Sequence, residues 1–221
     1  LMRDVAALDS VHWLRVLYTY PDTVDARLIE TLRDEPKICD YLDLPLQHIS
    51  APLLKRMNRR GNPDSIRELL RQCRARGMFL RTTFIVGFPG ETERDFEELM
   101  DFTREIQFDR MGAFAFSREE GTPAADMPDQ VPDEVKQERL DRLMALQQQI
   151  SRARNELRVG EECEVLVEGF EGLTYVGRSM REAPEIDGKI YFISERELTP
   201  GQYVRVRITA AEEYDLQGVC V

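Results

Sequence analysis

Cysteine is scarce in this sequence. There are four, at positions 39, 73, 163 and 220, and none stands in a CxxC or CxxxCxxC spacing. That excludes a locally built zinc or iron–sulfur site and a disulfide scaffold. A few scattered thiols fit a reducing compartment, so a cytoplasmic protein is expected. Cys39 and Cys73 lie on apolar faces and read as buried structural thiols. No apolar run approaches the roughly 20 residues a membrane helix needs. The opening LMRDVAALDS is not a signal peptide, lacks an initiating Met and reads as the tail of an amphipathic helix. The expectation is therefore a fragment whose beginning is missing. Positive charge is also short, with 30 Lys and Arg against 41 Asp and Glu, a net −11. A free-standing nucleic-acid binder needs the opposite balance, whereas a basic partner is favoured. No P-loop, GxGxxG, HExxH or Ser/His/Asp order is present.

What the sequence does hold is material for a core: 42% hydrophobic residues in 221. The length suits one large domain, or a medium one followed by a small one. The first two-thirds alternate strand and helix. Strands are predicted over 11–18, 38–46, 79–88 and 111–117. Between them the 3.6-residue period predicts helices over 24–34, from Ser50 through Asn58, from Asn62 to a stop at Gly77, and over 90–106. Strand, helix, strand at this spacing implies parallel strands with right-handed crossovers. Four parallel strands do not close a barrel, which again points to missing earlier units. A Pro-, Gly- and Asp-rich loop at 117–132 leads into a long helix, 132–158, with an apolar stripe of Val135, Leu140, Leu143, Leu146 and Ile150. Beyond a boundary near 155–160 the pattern becomes five short strands in about 60 residues. That predicts a small antiparallel, OB-like barrel.

In parallel α/β folds, ligands gather at the carboxyl ends of the strands. That rim holds Tyr18, Thr19 and Tyr20; Gln47 and His48; the loop Gly87–Glu91 (GFPGE); and Ser117 with the EEGTP loop. GFPGE offers close backbone approach, yet a plain tight turn reads the same way. His48 is a candidate general base or hydrogen-bond donor, and equally a structural turn residue. His12, mid-strand, reads as packed. Asp43 points inward and requires a partner. Lys55–Arg60 is a cationic run in an acidic protein. It reads either as a solvated helix end or as an Arg clamp for carboxylate or phosphate.

Five strings belong together: YLDLPLQHIS (41–50), LKRMNRRG (54–61), LRTTFIVGFPGETERDFEEL (80–99), FSREEGTPAA (116–125) and EEYDLQG (212–218). Their combination resembles the radical S-adenosylmethionine (SAM) methylthiotransferases over essentially the whole chain. His48, Gly61 and Arg81-Thr82-Thr83 favour the protein-modifying branch over the branch acting on tRNA adenosine. The resemblance implies an α/β fold made of the C-terminal part of a partial (β/α)6 barrel. Residues 1–154 would supply units three to six, with 132–158 as linker helix, and 155–221 a TRAM-like β-barrel. Upstream would lie the cluster-binding loop and a domain carrying a second cluster. The cofactors implied for the full-length enzyme are S-adenosyl-L-methionine and two 4Fe–4S clusters, none held by this fragment, which should be inactive alone. Among site residues, Ile85 would receive adenine through its backbone, and Gln47 would lie near the ribose and methionine. Arg59 would bind the methionine carboxylate, while Gly87 and Glu91 shape the loop. Thr83 departs from the family's usual Gly. No catalytic residue is assigned beyond the candidate His48, and no metal ligand. The implied reaction places a methylthio group on the β-carbon of an aspartate in a small-subunit ribosomal protein. Residues 155–221 carry seven Lys and Arg against fourteen Asp and Glu. That balance favours a basic ribosomal protein as partner, makes tRNA or an RNA-binding role less favoured, and gives no reason to expect a membrane.

Overall fold

The computed structural model describes every residue, Leu1–Val221. After a one-turn helix α1 (Met2–Ala6), the chain alternates α2 (Ala26–Asp34), β1 (Tyr41–Asp43), α3 (Ala51–Arg56), α4 (Pro63–Ala75), β2 (Phe79–Val86), α5 (Glu93–Ile106) and β3 (Arg110–Ala115). Helix starts follow local chemistry. Asp25 accepts from Leu28 N to cap α2, and Asn62 caps α4 with Pro63 at its first position. Thr92 and Asp95 form a reciprocal capping box on α5.

The strands form one parallel sheet in the order β1-β2-β3. Period-two alternation splits β2 cleanly. Leu80, Thr82, Phe84 and Val86 are buried beneath the helices, where Phe84, Phe102 and Phe108 meet edge to face. Arg81, Thr83 and Ile85 face the other way and are only half-buried. By register that second face also carries Asp43, Gly112 and Phe114.

Two predicted strands are shorter than expected. Residues 11–18 run beside β1 but make one bridge only, Leu14 with Ile38. Asp43 ends the segment: its carboxylate accepts Tyr18 N at 2.9 Å, and Tyr18 turns into the left-handed region (φ 58). Similarly, 38–46 contracts to Tyr41–Asp43, and Pro45 has no N–H to continue a ladder. His12 is packed on one side only and is not in a strand. It is half-exposed, stacks on Tyr203 at 3.6 Å and contacts Glu164 at 2.8 Å.

Helix α6 (Asp133–Glu156) crosses the sheet edge. Leu143 and Ile150 are buried as predicted, whereas Val135, Leu140 and Leu146 are half-buried. The rest of the buried stripe is polar: Lys136, Arg139, Gln147, Ser151 and Asn155. Gln147 donates to Phe108 O, Ser151 to Asp109 O, and Asn155 to Glu212 O. Each gives a backbone carbonyl a side-chain donor from the helix, which apolar residues could not supply.

The remaining strands are β4 (Glu162–Glu171), β5 (Thr174–Arg178), β6 (Ile190–Ile193), β7 (Tyr203–Ala211) and β8 (Leu216–Cys220). They close a barrel in the order β4-β5-β6-β8-β7. Four seams are antiparallel, and the β6–β8 seam is parallel. Inward residues alternate along β7 as Val204, Val206 and Ile208, all buried. The segment 179–187 leaves the barrel and packs Ala183 against Cys39, Tyr41 and Phe79. There Tyr41 OH donates to Asp187 at 2.7 Å, and Arg15 donates to the carbonyls of Ser179, Met180 and Glu182.

Candidate cofactor rim

The carboxyl end of β1 is where most of the sequence-predicted residues meet. Gln47 adopts a left-handed conformation (φ 71) that turns its backbone against β2. Its N–H donates to Thr83 O and its carbonyl accepts from Ile85 N, both at 2.8 Å. Gln47 and Ile85 are thereby adjacent, and the Ile85 side chain stands on the half-open sheet face. Arg59 reaches the same rim from beyond α3. Its Nη1 donates to Pro45 O at 3.0 Å, and its guanidinium lies over the Tyr20 ring at 5.4 Å. Although ion pairs are abundant in this acidic protein, Arg59 forms none. A half-buried guanidinium with donors to spare suits a carboxylate ligand.

The Gly87–Glu91 loop closes the opposite side of this rim. Gly87 has φ +72, and a Cβ there would fall 2.2 Å from Lys136 Cγ, so a side chain would demand rearrangement as well as strain. Glu91 is turned inward. One carboxylate oxygen accepts Gly87 N at 2.8 Å; the other accepts Arg139 Nη1 at 2.8 Å. Its side chain fixes the loop and offers no free edge to a ligand.

His48 does not stand on the rim. It is fully buried behind the Gly-rich loop. Its Nδ1 accepts Ser50 N at 3.0 Å, which places the proton of the neutral ring on Nε2. Nε2 faces Glu91 at 3.6 Å and makes no hydrogen bond. The carboxylate that sequence adjacency did not offer comes from 43 residues downstream. Asp43 has its partner: Arg81 donates to it at 2.9 Å. Arg81 also lies 3.7 Å from Asp187 of the barrel domain. Burial pushes the Asp187 carboxyl above its ordinary value, partly opposed by the Ala183 N–H and Tyr41 OH bonds. Ser117 is exposed and bonded to Glu119, away from this group.

Sequence reasoning missed two residues, Lys136 and Arg139. Their signal was present as cations on the 136, 139, 143, 147, 150 stripe of one helix, a spacing that marks a packed face. The search for apolar residues passed over them. The chemistry of the donor set fits S-adenosylmethionine at Gln47, Arg59 and the Ile85 backbone. It does not fit an iron–sulfur cluster: the four cysteines are free, and no three potential ligand side chains converge.

Comparison with known proteins follows the same division. Residues 2–103 match the radical SAM superfamily and residues 159–221 the TRAM domain. The ribosomal protein uS12 methylthiotransferase RimO of Desulforudis audaxviator is 52% identical over 219 residues, covering 98% of this chain and 49% of its own length. The protein of the same name from Geobacter sulfurreducens is 52% identical over 223 residues, covering 99% and 50%. The chain thus spans about half the length of the curated relatives it matches. Among solved structures, coproporphyrinogen III oxidase (HemN) from Escherichia coli, a radical SAM enzyme, superimposes with a TM-score of 0.53 at 20% identity. That match covers 62% of this chain and 32% of that one, and it concerns the fold.

Proposed function

Because the chain belongs to the radical SAM methylthiotransferase family, we propose that it is the cofactor-orienting and substrate-docking half of an enzyme that methylthiolates an aspartate β-carbon in a small-subunit ribosomal protein. The observation that carries this reading is the convergence of Gln47, Ile85 and the unpaired Arg59 on one strand-end rim. S-adenosylmethionine, when bound and reduced by one electron from the iron–sulfur cluster of the full-length enzyme, would supply the alkyl radical that takes hydrogen from the substrate carbon. Arg59 holds its methionine carboxylate by charge-assisted hydrogen bonds, and the Ile85 backbone meets its adenine edge. Gln47, locked by two backbone bonds, sets the distance between those two anchors. The Gly-rich loop excludes water from one side. His48 acts from behind, as a positioning residue, since its burial keeps it from any substrate.

The β-barrel domain is the docking surface for the basic protein. Glu185, Glu195, Glu197 and Glu212 are exposed there and form no ion pair, so their field is uncompensated. An acidic field steers a cationic protein and repels phosphate, which disfavours tRNA adenosine as substrate. No helix is long and apolar enough to cross a membrane, and a cytoplasmic setting fits a ribosomal target. The test is mass spectrometry of small-subunit ribosomal proteins after deleting and then restoring the full-length gene. Loss and return of one methylthio increment on a single protein is expected. An unchanged ribosomal protein with altered tRNA adenosine would overturn the assignment.

A further inference from the structure

The Gly-rich loop is held from outside by α6. Arg139, nearly buried, donates from Nη1 to both the Glu91 carbonyl (3.1 Å) and its carboxylate (2.8 Å). Its Nη2 reaches Glu93 at 3.3 Å. The far oxygen of Glu91 accepts Gly87 N and faces the orphan Nε2 of His48. One carboxylate thus bonds the loop after β2 to α6 and faces the turn after β1. One turn earlier, Lys136 lays its stem into the space that a Gly87 side chain would need, with its ammonium on Asp133 and over the Phe116 ring. Farther along the same face, Gln147, Ser151 and Asn155 tie the helix to residues 108–109 and 212–213. The helix is one rod reaching from the Gly-rich loop to the barrel domain.

We propose that Arg139, through Glu91, is a positioning residue that sets the conformation of the Gly87–Glu91 loop, with the Lys136 stem as its packing wall. The affinity of the enzyme for S-adenosylmethionine therefore depends on α6. The proposal rests on the reading of the rim as the site for that cofactor. The physical argument is that a buried carboxylate stripped of its guanidinium must find water or turn outward. Either response releases the Gly87 amide, whose only anchor among the described bonds is Glu91.

The experiment uses the full-length enzyme with Arg139→Met, Arg139→Lys, Lys136→Met and Arg59→Ala. S-adenosylmethionine dissociation constants are measured by calorimetry, and hydrogen exchange is measured on peptides covering 86–91. Arg139→Met is expected to weaken binding about fivefold or more, the low end of the coupling between linked sites, because binding must then reorder the loop. It should also speed exchange at Gly87. Arg139→Lys keeps the charge but loses the two-pronged grip, and falls between. Lys136→Met keeps most of the stem while losing the ammonium, and is expected to change both readouts less than Arg139→Met. Unchanged affinity and exchange in a folded Arg139→Met protein overturn the proposal; if that variant does not fold, unchanged values in Arg139→Lys do so. Should Arg59→Ala weaken binding while the Arg139 variants do not, the rim reading stands and only the positioning role falls. Wild-type enzyme that fails to bind S-adenosylmethionine overturns both.

Discussion

The two faces of the three-stranded sheet are built on opposite plans. The helix-covered face is apolar and sealed, with Leu42, Leu44, Leu80, Phe84 and Val86 all buried. The other face carries Asp43, Arg81, Thr83 and Ile85, and its outermost residue, Phe114, is exposed. The first face holds the fold by removing carbon from water; the second holds charges by pairing them. The difference teaches where substitutions will act. On the sealed face they should cost stability, and toward the rim of the other they should cost binding.

Phe84→Ala should show the largest effect, about 3–5 kcal/mol of unfolding free energy, because it empties the centre of an aromatic trio. Denaturant unfolding of the full-length protein measures it. Asp43→Ala comes next, at about 3 kcal/mol, since it leaves Arg81 facing only Asp187 and frees the Tyr18 amide. A loss under 0.5 kcal/mol there would mean that the polar face contributes nothing to folding. Arg59→Ala should invert the pattern. Stability should stay within about 0.5 kcal/mol, while affinity for S-adenosylmethionine falls about tenfold or more.

Much of the sealed face was legible in advance. The strand predicted over 79–88 and the helix predicted from Asn62 to Gly77 rest on local signals, and the structure has β2 at Phe79–Val86 and α4 at Pro63–Ala75, with Ile66, Leu70 and Cys73 buried and Leu69 half-buried. The rim was legible in part. Gln47, Arg59, Ile85 and the Gly-rich loop were selected by the strand-end rule and by family resemblance, and the first three converge. His48 was placed one layer too far out, because the carboxylate that faces it arrives from another loop. Helix α6 was read by its leucines, whereas its burial is set by Lys136, Arg139, Gln147 and Asn155. Their partners are carbonyls and carboxylates far away in sequence, which no periodicity reports. The end of the segment predicted over 11–18 is set in the same way, since the Asp43 side chain takes the Tyr18 amide.

The smallest predicted effect is electrostatic. Glu93 is held below the ordinary carboxylate range, first by its hydrogen bond from Arg142, against an opposing burial penalty and with further help from Arg139. A carboxylate depressed in the folded state contributes stability above its unfolded pKa, and that stability is lost as pH falls through the folded value. Glu93→Gln should therefore lower stability slightly at neutral pH, leave it unchanged at acid pH where Glu93 is protonated, and so flatten the acid limb of a melting-temperature profile. Because Glu93 is mostly exposed, added salt should shrink the difference. A buried pair such as Asp43–Arg81 should respond far less to salt, which separates the charges of the open surface from those of the sheet.

The most direct test places Arg59→Ala in the full-length gene as the only copy and follows the small-subunit ribosomal proteins by mass spectrometry. The account predicts normal levels of folded enzyme and a strong loss of the single methylthio increment, restored by the wild-type gene. Full modification of the ribosomal protein by a stably folded Arg59→Ala enzyme would contradict it.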